Sequence, residues 1–507
     1  MLDLDPVVFG ASATLIAVFL VVSLIFLHRL ESAVDALQAW IANRTGWFLV
    51  LTVNVVLGYL VVLMCSRFGA IRLGGREARP DFSTPAWFAM LFSAGMGIGL
   101  MFYAVAEPLY HLLTSPHGAA AGTPAAYEDA IRTTFLHWGL HAWGIYALTG
   151  LALAYFSFNL NQPLSIRALF YPLLGERIHG PLGAAVDTLA CIATLFGVAT
   201  SLGLGVAQIN AGLAHLFGWP VSAPVQIALI AGITLIATIS VVSGLNHGIR
   251  RLSEFNLAVA GLLLLLVLLA GPTLFILNGL PENIGLYLND FFALGFWNET
   301  YTQGHWQNGW TVFYWGWWCA WAPFVGMFIA RISRGRTIRE YLLGVLLVST
   351  GLTFAWLSVF GDAALYIELH GDVSLGEAVQ QDVARSLYLF LERLPQAGGL
   401  GPWLSQVLPV ALGLLATLAT VSFFVTSSDS GSLVIDIISA GGKPNPPVLQ
   451  RIFWAVTEGV VAAVLLVGGG LTALQTAAIS VGLPFSVMLM LLIVSLHKAL
   501  LRDPPVI

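Results

Sequence analysis

The chain has 507 residues, of which 58% are apolar and only 9% are charged. An average soluble domain carries about 25% charged residues, so this composition excludes an ordinary soluble protein. The formal net charge of −5 is small for such a length and gives no sign of a nucleic-acid partner.

Uncharged runs of roughly 20 residues recur along the chain, and each is long enough to cross a ~30 Å hydrocarbon core. We therefore predict an all-α polytopic membrane protein in a lipid bilayer. Its twelve transmembrane helices are expected near residues 8–28, 46–66, 86–108, 132–158, 184–214, 223–244, 254–278, 309–330, 342–364, 405–437, 451–470 and 474–497. The tenth is too long for one straight helix, so we expect either a break or a partly extramembrane segment. The connection 279–308 contains PENIGLYLNDFF, which fits an interfacial helix.

The distribution of Lys and Arg residues predicts the orientation of the chain. If the amino terminus lies inside, most of the 21 basic residues fall in segments on the inner side of the membrane. The positive-inside rule then predicts that both termini are cytoplasmic. A missed or an additional span would disturb this alternation.

Spans three and eight both contain helix-breaking residues. Span three includes SAGMGIGL at 93–100, and span eight carries Pro323. Irregular backbone at membrane depth is tolerated where it lines a cavity, and interrupted helices in two halves of a chain indicate a transporter binding site. Because the two spans are five apart, the second five-helix unit is expected to run inverted relative to the first. A tight helix–helix contact is the alternative interpretation of the glycines.

Aromatic residues crowd spans four and eight, in the stretches HWGLHAWGIY and WGWWCAW. At 100° per residue, three rings share one face of each helix. A quaternary ammonium has no N–H group, but indole faces attract it by about 0.5 to 2 kcal/mol each. The two faces therefore predict a cation cage, whereas packing or interfacial anchoring is the alternative for any single ring. The residues are Trp138, Trp143, Tyr146, Trp317, Trp318 and Trp321.

Span ten contains FFVTSSDSGS at 423–432. Thr426 and Ser427 bring two hydroxyl groups together beside an expected kink, and such oxygens suit a hard monovalent cation. Hydrogen bonding between helices is the alternative interpretation. Asp429 is expected to be functional or paired, because a carboxylate within a membrane is costly. Pairing with an Arg near the cytoplasmic end would also account for it.

Function classes other than transport are an intramembrane enzyme and a channel. His137 and His141 lie four residues apart, a spacing that metal sites use. They lack a partner acid at EXXH spacing, so we expect them to form hydrogen bonds near the outer surface. We predict no enzyme activity, no catalytic residue and no cofactor other than a coupling ion.

Five stretches resemble the betaine/choline/carnitine transporter family, and in particular its sodium-coupled glycine betaine transporters. They are GMGIGLMFYAVAEPL (95–109), HWGLHAWGIYAL (137–148), ATLFGVATSLGLG (193–205), FYWGWWCAWAPFVGMFIARISRGRTIRE (313–340) and TSSDSGS (426–432). The resemblance implies a LeuT-like core of two inverted five-helix repeats in a homotrimer, within the cytoplasmic membrane of a bacterium. The expected units are two leading helices (1–85), repeat one (86–278), a periplasmic connection (279–308), repeat two (309–497) and a short cytoplasmic tail (498–507).

The resemblance also implies roles for individual residues. Trp138, Trp143, Tyr146 and Trp318 would form the aromatic box, with Trp321 along the inward path and Trp317 along the outward path. Backbone amides at Gly95, Gly97 and Gly99 would face the substrate carboxylate, and Ser201 would be a further polar contact. Sodium would bind to the carbonyls of Ser93, Met96 and Phe423 and the hydroxyls of Thr426 and Ser427.

Three positions refine the expected substrate and ion. Choline-preferring relatives tend to carry Asp where this chain has Gly99, so a zwitterion such as glycine betaine is favoured. Sodium-independent exchangers carry Arg where this chain has Asn256, so sodium coupling is favoured. A second sodium site in some members uses two threonines, but here Thr194 is followed four residues later by Val198, which leaves the stoichiometry open. A sodium-independent or proton-coupled carrier or exchanger for choline or carnitine remains the alternative, and carnitine or dimethylsulfoniopropionate remains an alternative zwitterion.

Overall fold

The structure is a computed structural model that describes residues 4–95, 97–243, 249–302, 304–371, 374–443 and 446–502. These residues form helices joined by turns and loops, with one isolated β-bridge between Arg72 and Thr337. Among them, nine helical segments are long and apolar enough to cross a bilayer. The chain is therefore an all-α, multi-pass membrane protein, as its composition predicts.

We name the helices of twelve or more residues in chain order. They are α1 (Pro6–Ile25), α2 (Leu27–Cys65), α3 (Thr84–Gly95), α4 (Ile98–Leu113), α5 (Pro124–Trp138), α6 (Leu140–Phe158), α7 (Pro181–Phe217), α8 (Ala223–Ser243), α9 (Ile249–Ala270), α10 (Thr273–Asn289), α11 (Thr311–Ile332), α12 (Ile338–His370), α13 (Ser386–Ala397), α14 (Pro402–Ser439) and α15 (Val448–Arg502). Shorter helices include Trp306–Gly309, directly before α11, and Leu375–Gln381.

The predicted interruption of span three is confirmed. Helix α3 ends at Gly95, and α4 begins after Gly97, whose backbone is extended with φ −156° and ψ −167°. Span four is also divided, at Gly139, which we did not predict. A Cβ atom on Gly139 would come within 2.5 Å of the Phe135 carbonyl oxygen and 2.9 Å of the Phe354 ring. The close approach of these two groups explains the glycine.

The predicted interruption of span eight at Pro323 is wrong. Helix α11 is continuous from Thr311 to Ile332 with Pro323 inside it, and the change of direction lies earlier, at Trp310. A membrane helix tolerates an internal proline when its surroundings accommodate the freed backbone groups. Here α11 is among the most enclosed helices, since the apolar segment that contains it is 94% buried.

The predicted kink in span ten is also not observed. Helix α14 is one helix of 38 residues, or about 57 Å at 1.5 Å per residue. This length exceeds a ~30 Å hydrocarbon core, so the alternative of a partly extramembrane segment accounts for it. Thr426 and Ser427 therefore lie on regular helix rather than beside a break.

Two further boundaries differ from the sequence prediction. The predicted span 254–278 joins the end of α9 to the start of α10, which are separated around Gly271 and Pro272. Helix α10 contains the first part of the segment predicted to form an interfacial helix. Helix α15 covers the last two predicted spans, and non-helical backbone at Gly469 and Gly470 separates its two halves.

Helices α7 and α11 lie at the centre of the fold. Helix α7 packs against α14 and α15, and α11 packs against α6 and α15. The apolar segment of α7 is 89% buried, whereas that of α8 is only 17% buried and exposes Leu235, Ile236 and Ile239. Exposed apolar side chains of this kind suit contact with lipid. The rings of α5, α6 and α11 therefore meet inside the protein.

Candidate functional site

The four rings predicted to form an aromatic box lie in one buried cluster. Trp318 of α11 is central, because its ring centroid lies 4.9 Å from that of Trp138 and 6.2 Å from that of Tyr146. Trp143 extends the cluster, 5.9 Å from Tyr146. The ring planes of all three pairs are steeply inclined, between 68° and 84°. Such edge-to-face pairs direct ring faces in different directions, as a cage for a cation requires.

The other tryptophans of α11 continue this cluster along the helix. Trp317 stacks on Trp318 with centroids 4.8 Å apart, and Trp321 lies 6.2 Å from Trp317. Trp315 points elsewhere, towards the imidazole rings of His137 and His141 at 5.9 and 5.8 Å. Three of the four indoles in WGWWCAW therefore belong to the cluster.

The interruption of span three lies against these rings. A Cβ atom on Gly99 would come within 2.9 Å of the Trp138 ring and 2.9 Å of the Trp317 ring. A Cβ atom on Gly97 would lie 3.8 Å from Trp321. A side chain at position 99 would force these two rings to shift, so the glycine allows their close approach to α4. The first turn of α4 is thus in direct contact with the aromatic cluster.

Helix α7 completes the wall beside Trp321. A Cβ atom on Gly197 would come within 2.7 Å of the Trp321 ring, and the Ser201 hydroxyl donates to the Gly197 carbonyl over 3.4 Å. Ser201 is therefore one helical turn from the cluster. Thr194 is buried on the same helix, and its hydroxyl has no hydrogen-bond partner. Val198 packs against Gly431 of α14 instead of offering a hydroxyl.

The predicted sodium ligands are described only in part. Met96 lies outside the described residues, and Ser93 and Gly95 are described only as parts of helix α3. On α14, the Thr426 hydroxyl lies 3.2 Å from the Phe423 carbonyl oxygen, and Ser427 is buried beside it.

Asn256 joins this group of oxygen atoms from α9. Its Nδ2 donates to the Thr426 hydroxyl over 2.8 Å, while its Oδ1 is buried without a partner. Position 256 entered the sequence prediction only through the absence of an Arg. The structure brings it into contact with the predicted sodium ligands.

A buried carboxylate that the sequence prediction did not use lies behind the cluster. Oε1 of Glu107 accepts hydrogen bonds from Nδ1 of His137 at 2.6 Å and Nε2 of His111 at 3.2 Å. Its Oε2 accepts from Nε1 of Trp138 at 2.7 Å and the Tyr314 hydroxyl at 2.5 Å. All five residues are buried. The signal was present in the sequence, because Glu107 is an acid inside a predicted span.

This network also holds a second ring of the cluster. The Trp318 indole donates to the His137 carbonyl oxygen over 2.9 Å. The hydrogen bonding expected of His137 is confirmed, and its partner is an acid, Glu107, that comes from another helix rather than from EXXH spacing. His141 hydrogen-bonds to Asn54 over 3.1 Å.

Comparisons with known proteins identify the family. A sequence model of BCCT, the betaine/carnitine/choline family transporter group, matches residues 7–505. The chain belongs to this family. It is 45% identical over 505 residues to the "Glycine betaine transporter" of Acinetobacter baylyi, which covers 99% of this chain and 74% of that protein. It is 42% identical over 477 residues to the "Glycine betaine transporter OpuD" of Bacillus subtilis, with 94% and 90% covered. It is also 42% identical over 504 residues to the "High-affinity choline transport protein" of Escherichia coli, with 98% and 72% covered.

The membership confirms the resemblance seen in the motifs and identifies the chain as a transporter. A cavity of about 350 Å³ extends the site of this transporter between α11 and α14. Phe324 lines it, and its ring lies 5.4 Å from that of Trp321. Arg331, at the predicted cytoplasmic end of α11, lines the cavity as well. The cavity therefore lies on the side of Trp321 that we predict to face the cytoplasm.

The trio Glu107, His111 and His137 offers ligand atoms within 4.8 Å of one another, a spacing that a metal ion would accept. Each carboxylate oxygen already accepts two hydrogen bonds. The carboxylate of this trio is therefore satisfied by hydrogen bonds without an ion.

Asp429 of the transporter is fully buried, and its hydrogen-bond partner in the described part of the chain is a serine. Its Oδ2 accepts a hydrogen bond from Ser240 of α8 over 2.8 Å. The neighbouring Ser428 donates to Glu458 of α15 over 3.1 Å. These contacts connect α14 to α8 and α15, so the polar residues after Ser427 link neighbouring helices.

Proposed function

We propose that the protein is a secondary active transporter that couples sodium to the uptake of a zwitterionic quaternary ammonium or sulfonium compound, with glycine betaine as the expected substrate. The observation that carries this proposal is the contact of Gly99 with Trp138 and Trp317. This contact places the aromatic cluster, which suits a cation, directly beside the first turn of α4, which suits an anion.

The cationic half of the site would be the box of Trp138, Trp143, Tyr146 and Trp318. Four ring faces at about 0.5 to 2 kcal/mol each supply roughly 2 to 8 kcal/mol. Micromolar affinity needs about 8 kcal/mol, so a second anchor is required. A sulfonium has a similarly diffuse charge, so the cage alone does not separate the two classes.

The anionic half of the site would be the first turn of α4. The first N–H groups of a helix have no acceptor within the helix, and they carry a partial positive charge. Gly97 precedes this turn and provides no side-chain cap. Because Gly99 has no carboxylate, a cationic alcohol would lack a counter-charge at this point, whereas a zwitterion brings its own. Two relatives, from Acinetobacter baylyi and Bacillus subtilis, are named as glycine betaine transporters, which agrees with this preference.

The coupling ion would bind between the interruption of span three and α14. Oxygen atoms suit a hard cation. The Thr426 hydroxyl and the unpartnered Oδ1 of Asn256 supply two such atoms close together. Phe423, Ser427, Ser93 and Met96 would complete the ligands, and Thr194 is the remaining candidate for a second ion. One sodium ion moving down 100 mV contributes about 2.3 kcal/mol, which sustains roughly 50-fold accumulation.

The transport cycle would be alternating access within a LeuT-like fold of twelve spans. Support comes from the nine apolar segments, from the division of α15 at Gly469 and Gly470, and from the paired helices α3/α4 and α5/α6. Residues 86–278 and 309–497 would be the inverted repeats, preceded by two helices within 1–85. We further propose a homotrimer in a bacterial cytoplasmic membrane with both termini inside.

A sodium-independent or proton-coupled carrier for choline or carnitine is the second candidate, favoured by the similarity to the choline transport protein of Escherichia coli. Thermal stability of the purified protein separates the two, because a ligand that binds the folded state raises the melting temperature. The panel contains glycine betaine, carnitine, dimethylsulfoniopropionate and choline, each in sodium or potassium chloride. We expect the largest stabilisation from glycine betaine in sodium. An equal choline response in both salts would overturn the proposal.

A further inference from the structure

Glu107 is a fully buried carboxylate whose described partners include no Lys or Arg. Its four donors are two imidazoles, an indole and a phenol. Neutral imidazoles can make all of these hydrogen bonds. In neutral His137, Nδ1 donates to Glu107, and Nε2 lies 3.0 Å from the Thr311 hydroxyl and can accept from it. Nδ1 of His111 is buried without a partner, so a second proton there would have no acceptor. With both imidazoles neutral, the network carries one negative charge that none of its described members neutralises.

The Glu107 carboxylate lies at the edge of one ring of the cage, the indole of Trp138. Oε2 of Glu107 accepts the Trp138 N–H, and the Trp138 ring is in contact with both Trp318 and Gly99. A carboxylate that accepts an indole N–H draws positive charge towards the ring edge and makes the ring face more negative. The carboxylate also attracts the bound cation directly. For two unit charges about 8 Å apart at an effective dielectric constant of ~20, such an attraction corresponds to roughly a 30-fold gain in affinity.

We propose that Glu107 is the fixed counter-charge of the substrate's onium group and determines specificity for a cationic over a neutral head group. It acts through the Trp138 ring and through its charge, without contacting the substrate as a direct ligand. The inference rests on the proposed function, because it takes the onium to bind in this cage. A buried carboxylate without a cationic partner is costly in a membrane protein, and the bound substrate supplies the missing positive charge.

The alternative is that Glu107 only holds the rings in place. The two roles differ in one respect, which is their dependence on the substrate's charge. Glycine betaine and 3,3-dimethylbutanoate have the same shape and the same carboxylate, but the second has carbon in place of the charged nitrogen. Loss of ring positioning weakens binding of both compounds. Loss of the counter-charge weakens binding of glycine betaine alone.

The test measures dissociation constants of both compounds for the purified full-length protein at fixed sodium. We compare the wild type with Glu107→Gln, which keeps the size and removes the charge. Glu107→Asp keeps the charge, and it serves as a second variant if the Gln variant does not fold. The matched control is Asp362→Asn, which neutralises another buried carboxylate, hydrogen-bonded to Asn283 on α10.

In Glu107→Gln we expect the preference for glycine betaine over its neutral isostere to fall by roughly 30-fold, with binding of the isostere unchanged or stronger. Glu107→Asp and Asp362→Asn should keep the preference within about threefold. Equal weakening of both compounds in Glu107→Gln, or loss of preference in Glu107→Asp, would overturn the inference. If the wild type itself does not bind glycine betaine, the proposed function fails instead, so the two failures are distinguishable.

Discussion

At the scale of single residues, Gly99 connects the two halves of the candidate site. Its backbone belongs to the first turn of α4, and its missing side chain allows Trp138 and Trp317 to approach. The absence of a Cβ atom at position 99 thus affects both the packing of the cage and the access of a substrate carboxylate to the first turn of α4.

Replacing Gly99 with alanine should therefore impair binding more than folding. The new Cβ would meet two rings at 2.9 Å, which is closer than real contacts allow, so the rings must shift. We expect at least a tenfold rise in the dissociation constant of glycine betaine, measured by calorimetry. Gly232→Ala on α8 is the matched control, because a Cβ there meets nothing within 4 Å. Unchanged affinity in Gly99→Ala would contradict the geometry of the site.

The central ring of the cage allows a second test at this scale. Trp318→Leu keeps apolar bulk but removes the indole face, and we expect at least a tenfold loss of affinity for glycine betaine. Trp356→Leu is the control, since Trp356 is equally buried but stacks on Phe360, away from the cage. Both variants should lose stability, but only the first should lose affinity. If betaine affinity survives Trp318→Leu within twofold, the cage interpretation is wrong.

Residues of the candidate site could be predicted from the sequence only where the helical periodicity places their side chains on one face of a helix. The rings of spans four and eight share helix faces, so their convergence was predictable, and the structure brings them together. Glu107 was missed because its partners His137, Trp138 and Tyr314 come from other helices. Contacts between distant segments leave no periodic signal in a single sequence.

At the scale of helices, one of the predicted interruptions is present in the structure and two are absent. The interruption at Gly95 to Gly97 was predictable, because alternating glycines lower helix stability. The interruptions predicted at Pro323 in α11 and beside the serines of α14 are absent, since each helix is continuous there. Neighbouring helices decide whether a proline or a serine interrupts a buried helix, and a local pattern contains no information about those neighbours.

The contact between α9 and α14 makes a prediction about sodium. Thr426→Ala removes a hydroxyl that contacts Asn256 and lies near the Phe423 carbonyl. We expect the sodium concentration for half-maximal betaine binding to rise about tenfold, with near-normal betaine affinity at saturating sodium. Thr417→Ala, on the same helix beside Tyr388, is the control and should leave the sodium dependence unchanged. A sodium dependence unaffected by Thr426→Ala would remove this residue from the proposed site.

The first turns of α5 are held by Asp129, which precedes the predicted span. Burial alone would raise the pKa of its carboxyl group, but hydrogen bonds from His117, Ser115 and Arg132 hold that pKa well below its usual range. A lowered pKa in the folded state stabilises the protein above the unfolded value of about 3.9, and this contribution is lost as the pH falls towards the folded value.

Asp129→Asn should accordingly lower the free energy of unfolding by roughly 1–3 kcal/mol at neutral pH. In thermal scans of the detergent-solubilised protein, the difference from wild type should persist from pH 8 to about pH 5 and shrink below about pH 4. Glu128→Gln, an exposed neighbour on the same helix, is the control and should have little effect. A difference that grows as the pH falls below about 4 would contradict this electrostatic assignment.

At the scale of the whole molecule, composition and hydropathy were sufficient for the fold class. The helices of the structure fall close to the predicted spans, because each apolar run has to satisfy its backbone hydrogen bonds internally. The packing around α7 and α11 was not predictable, since every span is apolar and only the structure distinguishes enclosed helices from exposed ones. This packing is what brings spans three, four and eight to one site.

Uptake of labelled glycine betaine by proteoliposomes is the measurement that tests the proposed coupling of sodium to the transport of an onium zwitterion. The purified protein is reconstituted with potassium inside, and uptake is compared with sodium or potassium outside at the same membrane potential. We predict accumulation above the external concentration only with sodium outside, and its loss in Trp318→Leu. Equal uptake in the two salts, or equilibration without accumulation, would contradict sodium-coupled transport.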